Sequence, residues 1–356
     1  MLEHAVSENL RPQPSSALAT NLSVFYRQNM KNHAQANKII EEAVMERRCA
    51  YSHNEAENAA LRRRMKCGEL VRAAHGLYLP QDYWNNLSPP ERTLHIARSM
   101  SLLYPHWIFA GLTSATIHGF DHPWSLHSTH QLTIVGRERG KIRARHPTKR
   151  IYVPNCVPVR IGGFLATNPA RTLIDCSSAL YFRCALSIFD SAFAHGVTAN
   201  DVLEECEKDP CAHPAVAKLL LYANPDSDNG GESFARGTMI EEGFMPPMVQ
   251  VPFIVNGKSY RVDFLWKLAD ERIIVGEFDG TAKYVDPDMT DRRSIQGTVF
   301  LEREREDALR QAGVTDIVRF TFDDVLQKAP LIRKLKQAGV PMASHDLHND
   351  YAQFTG

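Results

Sequence analysis

The stretch Gln250 to Tyr284, QVPFIVNGKSYRVDFLWKLADERIIVGEFDGTAKY, constrains the fold most, because it gathers several carboxylates on consecutive strands. Asn256-Gly257 separates two runs rich in β-branched and aromatic residues, Met248 to Val255 and Ser259 to Trp266. That is the strongest short-range signal for a hairpin. A second turn over Leu268 to Arg272 returns the chain into Ile273-Ile274-Val275 and Gly276-Glu277-Phe278-Asp279-Gly280. If the turn centres near Asp270, Asp263 lies opposite Glu277, with Cβ atoms about 5 Å apart on one face. The period of two puts Asp279 on the face of Glu277. Like charges so placed are destabilising, so the pair points to a cation site. The competing reading is two solvated carboxylates out of register.

A chain of 356 residues has room for two or three domains. At 44% hydrophobic and 23% charged its composition is that of a soluble globular protein. No apolar run approaches the ~20 residues that span a bilayer. The opening MLEHAVSENLRPQPSS lacks the apolar segment of a signal peptide. A cytoplasmic protein with no membrane partner is therefore expected. The seven cysteines are scattered, which fits reduced thiols. Cys206, Cys211 and His213 could offer three zinc ligands, but their spacing matches no zinc pattern and no fourth ligand is evident. Charge is unevenly spread: residues 1–150 hold 20 Lys+Arg against 12 Asp+Glu, and the rest is acidic by the same margin. A basic front suits a polyanion.

Residues 1–35 read as a polar extension. Ala36 to Glu46 has helical spacing, and Asn54 is placed to cap a second helix over Glu55 to Lys66. Glu69 to Arg72 and Gly76 to Leu79 read as a short hairpin. Helices over Glu91 to Leu103 and Thr113 to Gly119 follow, then a strand from His130 to Val135. Alternation at Arg137, Arg139, Lys141, Arg143 and Arg145 puts five cations on one face of an extended segment, a candidate phosphate stripe or simply a basic loop. Val159 to Leu165 reads as one strand. Asn168 starts a helix, and Ser178 to Ala194 and Thr198 to Glu207 read as two more, with Arg171 and Asp175 bridging helices. Asn224 to Gly231 is the clearest candidate boundary. Beyond it come a helix to Gly243, the three strands, a charged helix over Thr290 to Ala312, a strand over Asp316 to Phe322 and a last helix capped by Asp323 or Asp324. The acids Asp286, Asp288 and Asp291 lack the pattern of a calcium loop.

The run RRRMKCGELVRAAHGLYLP resembles the N-terminal winged region of AbiEi-type antitoxin and regulator proteins, and LSPPERTLHIARSM…AGLTSATIHGF resembles the middle region of that family. The resemblance implies a DNA-binding module in which Arg62, Arg63, Arg64, Lys66 and Arg72 contact DNA. A winged helix used only for protein contacts is the alternative. The pieces GESFAR, YRVDFLW, VGEFDGTAKY, LEREREDALRQAG and DIVRFTFDDV resemble the PD-(D/E)xK nuclease superfamily, closest to its Vsr-like branch, over about Gly231 to Leu326. This implies an α+β multidomain chain: winged helix-turn-helix at 36–85, α/β middle region at 86–223, restriction-endonuclease-like domain at 224–330 and a tail at 331–356. It also implies Mg²⁺ or Mn²⁺ on Asp263 and Glu277, with Glu232 completing the shell. The chain departs from the family at one point: Asp279 stands where a lysine is expected. Lys283, or Arg305 on the next helix, is the nearest substitute. Three functions follow as expectations: a metal-dependent DNA endonuclease in phage defence or DNA repair, a non-enzymatic antitoxin-like regulator with a degenerate nuclease fold, or a docking protein for a toxin or defence-system partner.

Overall fold

Caps and turn residues place most of the elements. A computed structural model describes residues 34–136, 148–153, 155–208, 213–279 and 295–343. The chain divides into two compact units. One comprises residues up to Phe109 with His127–Tyr152 and Arg160–Leu165; the other comprises Ala110–Leu126, Val153–Val159 and Ala166 onward.

In the first unit, α1 (Ala34–Met45) and α2 (Glu55–Lys66) precede the hairpin of β1 (Leu70–Ala74) and β2 (Leu77–Pro80). Asn54 caps α2 by accepting from Glu57 N at 2.9 Å, while Glu57 accepts from His53 N at 2.7 Å. Ile39, Ile40, Ala43, Leu61, Leu70 and Tyr78 form the core. Ala50 pairs with Tyr78 in an antiparallel bridge, adding a third short segment to the hairpin. Then come α3 (Gln81–Asn86) and α4 (Pro89–Leu103), the latter opened by a Ser88–Glu91 capping box. β3 (Leu132–Gly136) and β4 (Thr148–Tyr152) pair in parallel. The single strand expected over Val159 to Leu165 is instead a hairpin of β5 (Val159–Ile161) and β6 (Phe164–Ala166). Gly162 and Gly163 both have positive φ and fold it back.

The second unit begins with α5 (Gly111–His118) and continues with α6 (Pro169–Ala179), α7 (Phe182–Ala194), α8 (Ala199–Cys206), α9 (His213–Tyr222) and α10 (Gly230–Glu241). Asn168 caps α6, and Thr198 caps α8 in a box with Asp201. The continuous helix expected from Ser178 to Ala194 breaks at Leu180, whose side chain packs against two of the apolar clusters of this unit. The turn-rich segment before Gly230 lies inside this unit rather than at a boundary between the two. Helices α7 and α10 are in intimate contact: a Cβ on Gly237 would come within 2.6 Å of Arg183 Cα.

A four-stranded sheet completes the unit, in the order β10-β9-β8-β7. Strands β7 (Met248–Val255), β8 (Lys258–Lys267) and β9 (Ile273–Asp279) form an antiparallel meander, and β10 (Asp316–Thr321) lies parallel to β9. Asn256 and Gly257 both have positive φ, as a type I′ turn requires. Helix α11 (Ile295–Gln311) covers one face, with Ala308 and Leu309 against Val262, Leu265 and Val275. The other face packs Phe264, Trp266, Ile274 and Phe320 against α10, α12 (Phe322–Gln327) and α13 (Ala329–Gln337). The cap of α12 is Thr321, boxed with Asp324, which displaces the expected Asp323 or Asp324. Residues from 331 are not all tail, because Leu331 and Leu335 of α13 are fully buried in the core. At this level the architecture is the expected α+β multidomain one. Among the described residues no helix is long and apolar enough to cross a membrane.

Candidate functional site

Asp263, Glu277 and Glu232 reach one region of the second unit from three different elements. The β8–β9 ladder runs from Lys267↔Ile273 to Phe264↔Gly276, so its register puts Asp263 beside Glu277, as the turn geometry required. The paired residues stop one short of them. The Asp263 carboxylate fills the fork instead, accepting from Phe278 N at 2.8 Å. Glu232 arrives from the first turn of α10, whose Asn229 cap accepts from Gly231 N and Glu232 N. Residue 231 must be small here, because a Cβ would sit 2.9 Å from the Phe278 ring. Glu232 is only 6% exposed. It accepts from Asn229 Nδ2 at 2.6 Å, Gln250 Nε2 at 2.7 Å and Asp228 N at 3.2 Å.

The electrostatics link these acids. Burial, then the negative charge of Asp263, pushes Glu232 up to about 7. Burial also raises Asp263, against the pull of the Phe278 N–H and of Arg305. Glu277 is raised by burial, and Arg305 opposes this. Arg305 of α11 donates to Glu277 Oε1 at 2.7 Å and to the Arg261 carbonyl at 2.6 Å. Arg261 itself pairs with Asp228. Desolvated like charges held together by several elements are a mark of functional sites.

The elevated Glu232 has a measurable sign. Its folded value of about 7 lies above the ordinary 4.5, so its contribution to stability is full below pH 4.5 and is lost as pH rises through 7. Glu232→Gln removes this titration. Metal-free urea unfolding of the variant should therefore vary less with pH over that window, with the variant gaining most on the wild type at pH 8. Parallel pH profiles for the two proteins would contradict it.

Of the other expected residues, Asp279 lies at the exposed end of β9. Lys283 and the acids at 286, 288 and 291 lie outside the described residues, as do Arg137, Arg139, Lys141, Arg143 and Arg145. Gln250 was not anticipated, since Val-Gln-Val carries no local mark of its role. Among the described residues no group of three or more His, Cys, Asp or Glu is placed to hold a metal ion. Cys206 is buried in the apolar core of the helices, while Cys211 lies outside the described residues. Arg171 and Asp175 pair at 2.8 Å within α6, and Asp175 also accepts from Gly111 N at 3.4 Å, so they do bridge helices.

In the first unit, Arg62, Arg63 and Lys66 of α2 and Arg72 of β1 are exposed and line a depression of about 310 Å³ together with Met65 and Tyr78. Arg64 is not among them. It is 5% exposed, points inward to Asn37 of α1 and lies 3.9 Å from Glu69. The helical spacing of Glu57, Ala60, Leu61 and Arg64, all buried, was the available signal.

No family model matches the chain. It is 27% identical over 209 residues to "Uncharacterized protein MT2308" of Mycobacterium tuberculosis strain CDC 1551 / Oshkosh, a match covering 57% of this chain and 72% of that protein. "Uncharacterized protein Rv2248" of the H37Rv strain of the same organism matches at the same identity and coverage.

Proposed function

We propose that this chain is a metal-dependent DNA endonuclease with a winged-helix DNA-binding surface on α2 and β1. The observation that carries the reading is the convergence of Asp263, Glu277 and Glu232, all desolvated, with Asp263 within electrostatic reach of both glutamates. Their hard oxygens suit Mg²⁺ or Mn²⁺. Mg²⁺ characteristically takes one or two protein carboxylates and fills its shell with water and phosphate, so a closed three-acid cage is not required. Asp263 and Glu277 would hold the ion and Glu232 would orient the shell. When bound, the ion supplies Lewis-acid stabilisation of the scissile phosphate and a more acidic water.

The protein's own groups do the rest. The Asp263 carboxylate is fixed by the Phe278 N–H, so it faces the site without a rotamer search. Arg305 stands over Glu277, where a guanidinium can hold two phosphate oxygens at once. It fills the cationic role that Asp279 vacates. The exposed Arg62, Arg63, Lys66 and Arg72 would neutralise backbone phosphates and give affinity without sequence information. Phage defence or DNA repair is the setting proposed, with a toxin or defence-system protein as a further partner.

Incubating the full chain with plasmid DNA and Mg²⁺ or Mn²⁺ tests the reading; nicking or linearisation that EDTA abolishes is expected. The front is tested separately. Binding affinity should fall with salt, and Arg62→Ala and Arg63→Ala should each reduce the log–log slope by about 1. A slope unchanged in the double variant would remove α2 from the interface. One observation favours a non-enzymatic regulator instead: Glu277 is engaged by Arg305, as in a nuclease fold that has lost its ion. That reading expects the same salt-dependent binding, no cleavage, and indifference to Asp263→Asn.

A further inference from the structure

Gln250 sits in mid-strand between Val249, which pairs with Phe264, and Val251, which pairs with Val262, yet its φ is +53°. A non-glycine residue seldom adopts that left-handed backbone, because its Cβ crowds the following carbonyl oxygen. The consequence shows in the packing. Val251, Phe253 and Val255 face the α11 side of the sheet, whereas Val249, of the same parity, faces the α10 side. In β8 the same switch separates Tyr260 and Val262 from Phe264 and Trp266. A regular strand would keep each of these sets on one face. Gln250 and Asp263 mark the switch in their two strands. The Gln250 amide donates to Glu232 Oε2 at 2.7 Å and lies near enough to Asp263 to lower its carboxyl. One neutral side chain thus spans two acids from different elements. The described donors to Glu232, from Gln250, Asn229 and Asp228 N, are all neutral. They fix the carboxylate without cancelling its charge, which leaves that charge for a cation.

We propose that Gln250 is a positioning residue of the cation site: its amide, aimed by the left-handed backbone at 250, locks Glu232 and Asp263 at the spacing a divalent ion needs. The proposal rests on the metal-dependent reading above. The strain at 250 is then a device that turns an edge-strand side chain into the site.

Mn²⁺ titration calorimetry and thermal unfolding of the full chain, without DNA, test it. Gln250→Gly keeps the left-handed backbone and removes the amide. It should remain folded and bind Mn²⁺ about 10- to 100-fold more weakly, as expected when a ligand's support is removed. Gln250→Glu keeps the length but replaces donor by acceptor. A positioning donor loses Mn²⁺ affinity on that change, whereas a direct metal ligand keeps or gains it. Unchanged affinity in a folded Gly variant, or tighter binding in the Glu variant, would overturn the assignment of Gln250 while the wild-type titration still upheld the metal site. No Mn²⁺ binding by the wild type would overturn both.

Discussion

Asp263→Asn should lower metal-dependent DNA hydrolysis by roughly 10²- to 10³-fold, since several kcal/mol of charge stabilisation are withdrawn and each 1.36 kcal/mol is tenfold. The loss should not come from unfolding. Asparagine Oδ1 can still accept from Phe278 N, the bond that Asp263 makes at 2.8 Å. The substitution also removes a negative charge that raises both Glu232 and Glu277. Stability should therefore be equal or higher while activity falls, which is the signature of a site that stores repulsion for a ligand. Thermal unfolding and initial cleavage rates on the same preparation separate the two. A variant that unfolds at lower temperature and loses activity in proportion would assign Asp263 a structural role.

Arg236→Ala should destabilise the second unit by about 3–5 kcal/mol, because it strands a buried carboxylate. Arg236 of α10 donates to both oxygens of Asp190 on α7, at 2.8 and 2.6 Å, and to the Tyr222 carbonyl at 2.6 Å. Both partners are almost fully buried. Burial alone raises Asp190, and Arg236 is the main opposing influence. Without the arginine, Asp190 rises further. A raised carboxyl contributes stability at low pH and loses it as pH increases, so the deficit should shrink in acid. Denaturant unfolding at pH 5 and pH 8 measures this. The double replacement Asp190→Leu with Arg236→Met should recover much of the loss, because a buried pair replaced by packed apolar groups is often neutral. A single variant as stable as wild type would mean that water reaches the pair.

The parts legible in the sequence are those that local chemistry decides. Asn256-Gly257 fixes a two-residue turn, and that turn fixes the β7–β8 register. The turn over Leu268 to Arg272 then fixes β8 against β9, which is why Asp263 and Glu277 meet. Asn54, Asn168 and Thr198 announce their helices for the same reason: a short polar side chain satisfies an exposed N–H. What stayed hidden depends on distant partners. Leu180 interrupts a helix because two cores claim it. Gln250 takes a left-handed backbone in mid-strand and hydrogen-bonds Glu232, eighteen residues earlier in the chain. Arg64 looked like a third surface cation in a run of three, although helical spacing alone assigns it to the inner face of α2.

In the proposed function Asp263 and Glu277 aim their oxygens at a common point and would chelate a divalent ion there. Titrating the full chain with Mn²⁺, followed by electron paramagnetic resonance of the free ion, measures this directly. Saturable binding that disappears in Asp263→Asn combined with Glu277→Gln is the expected result. Equal binding by that double variant, or none by the wild type at millimolar Mn²⁺, would contradict it.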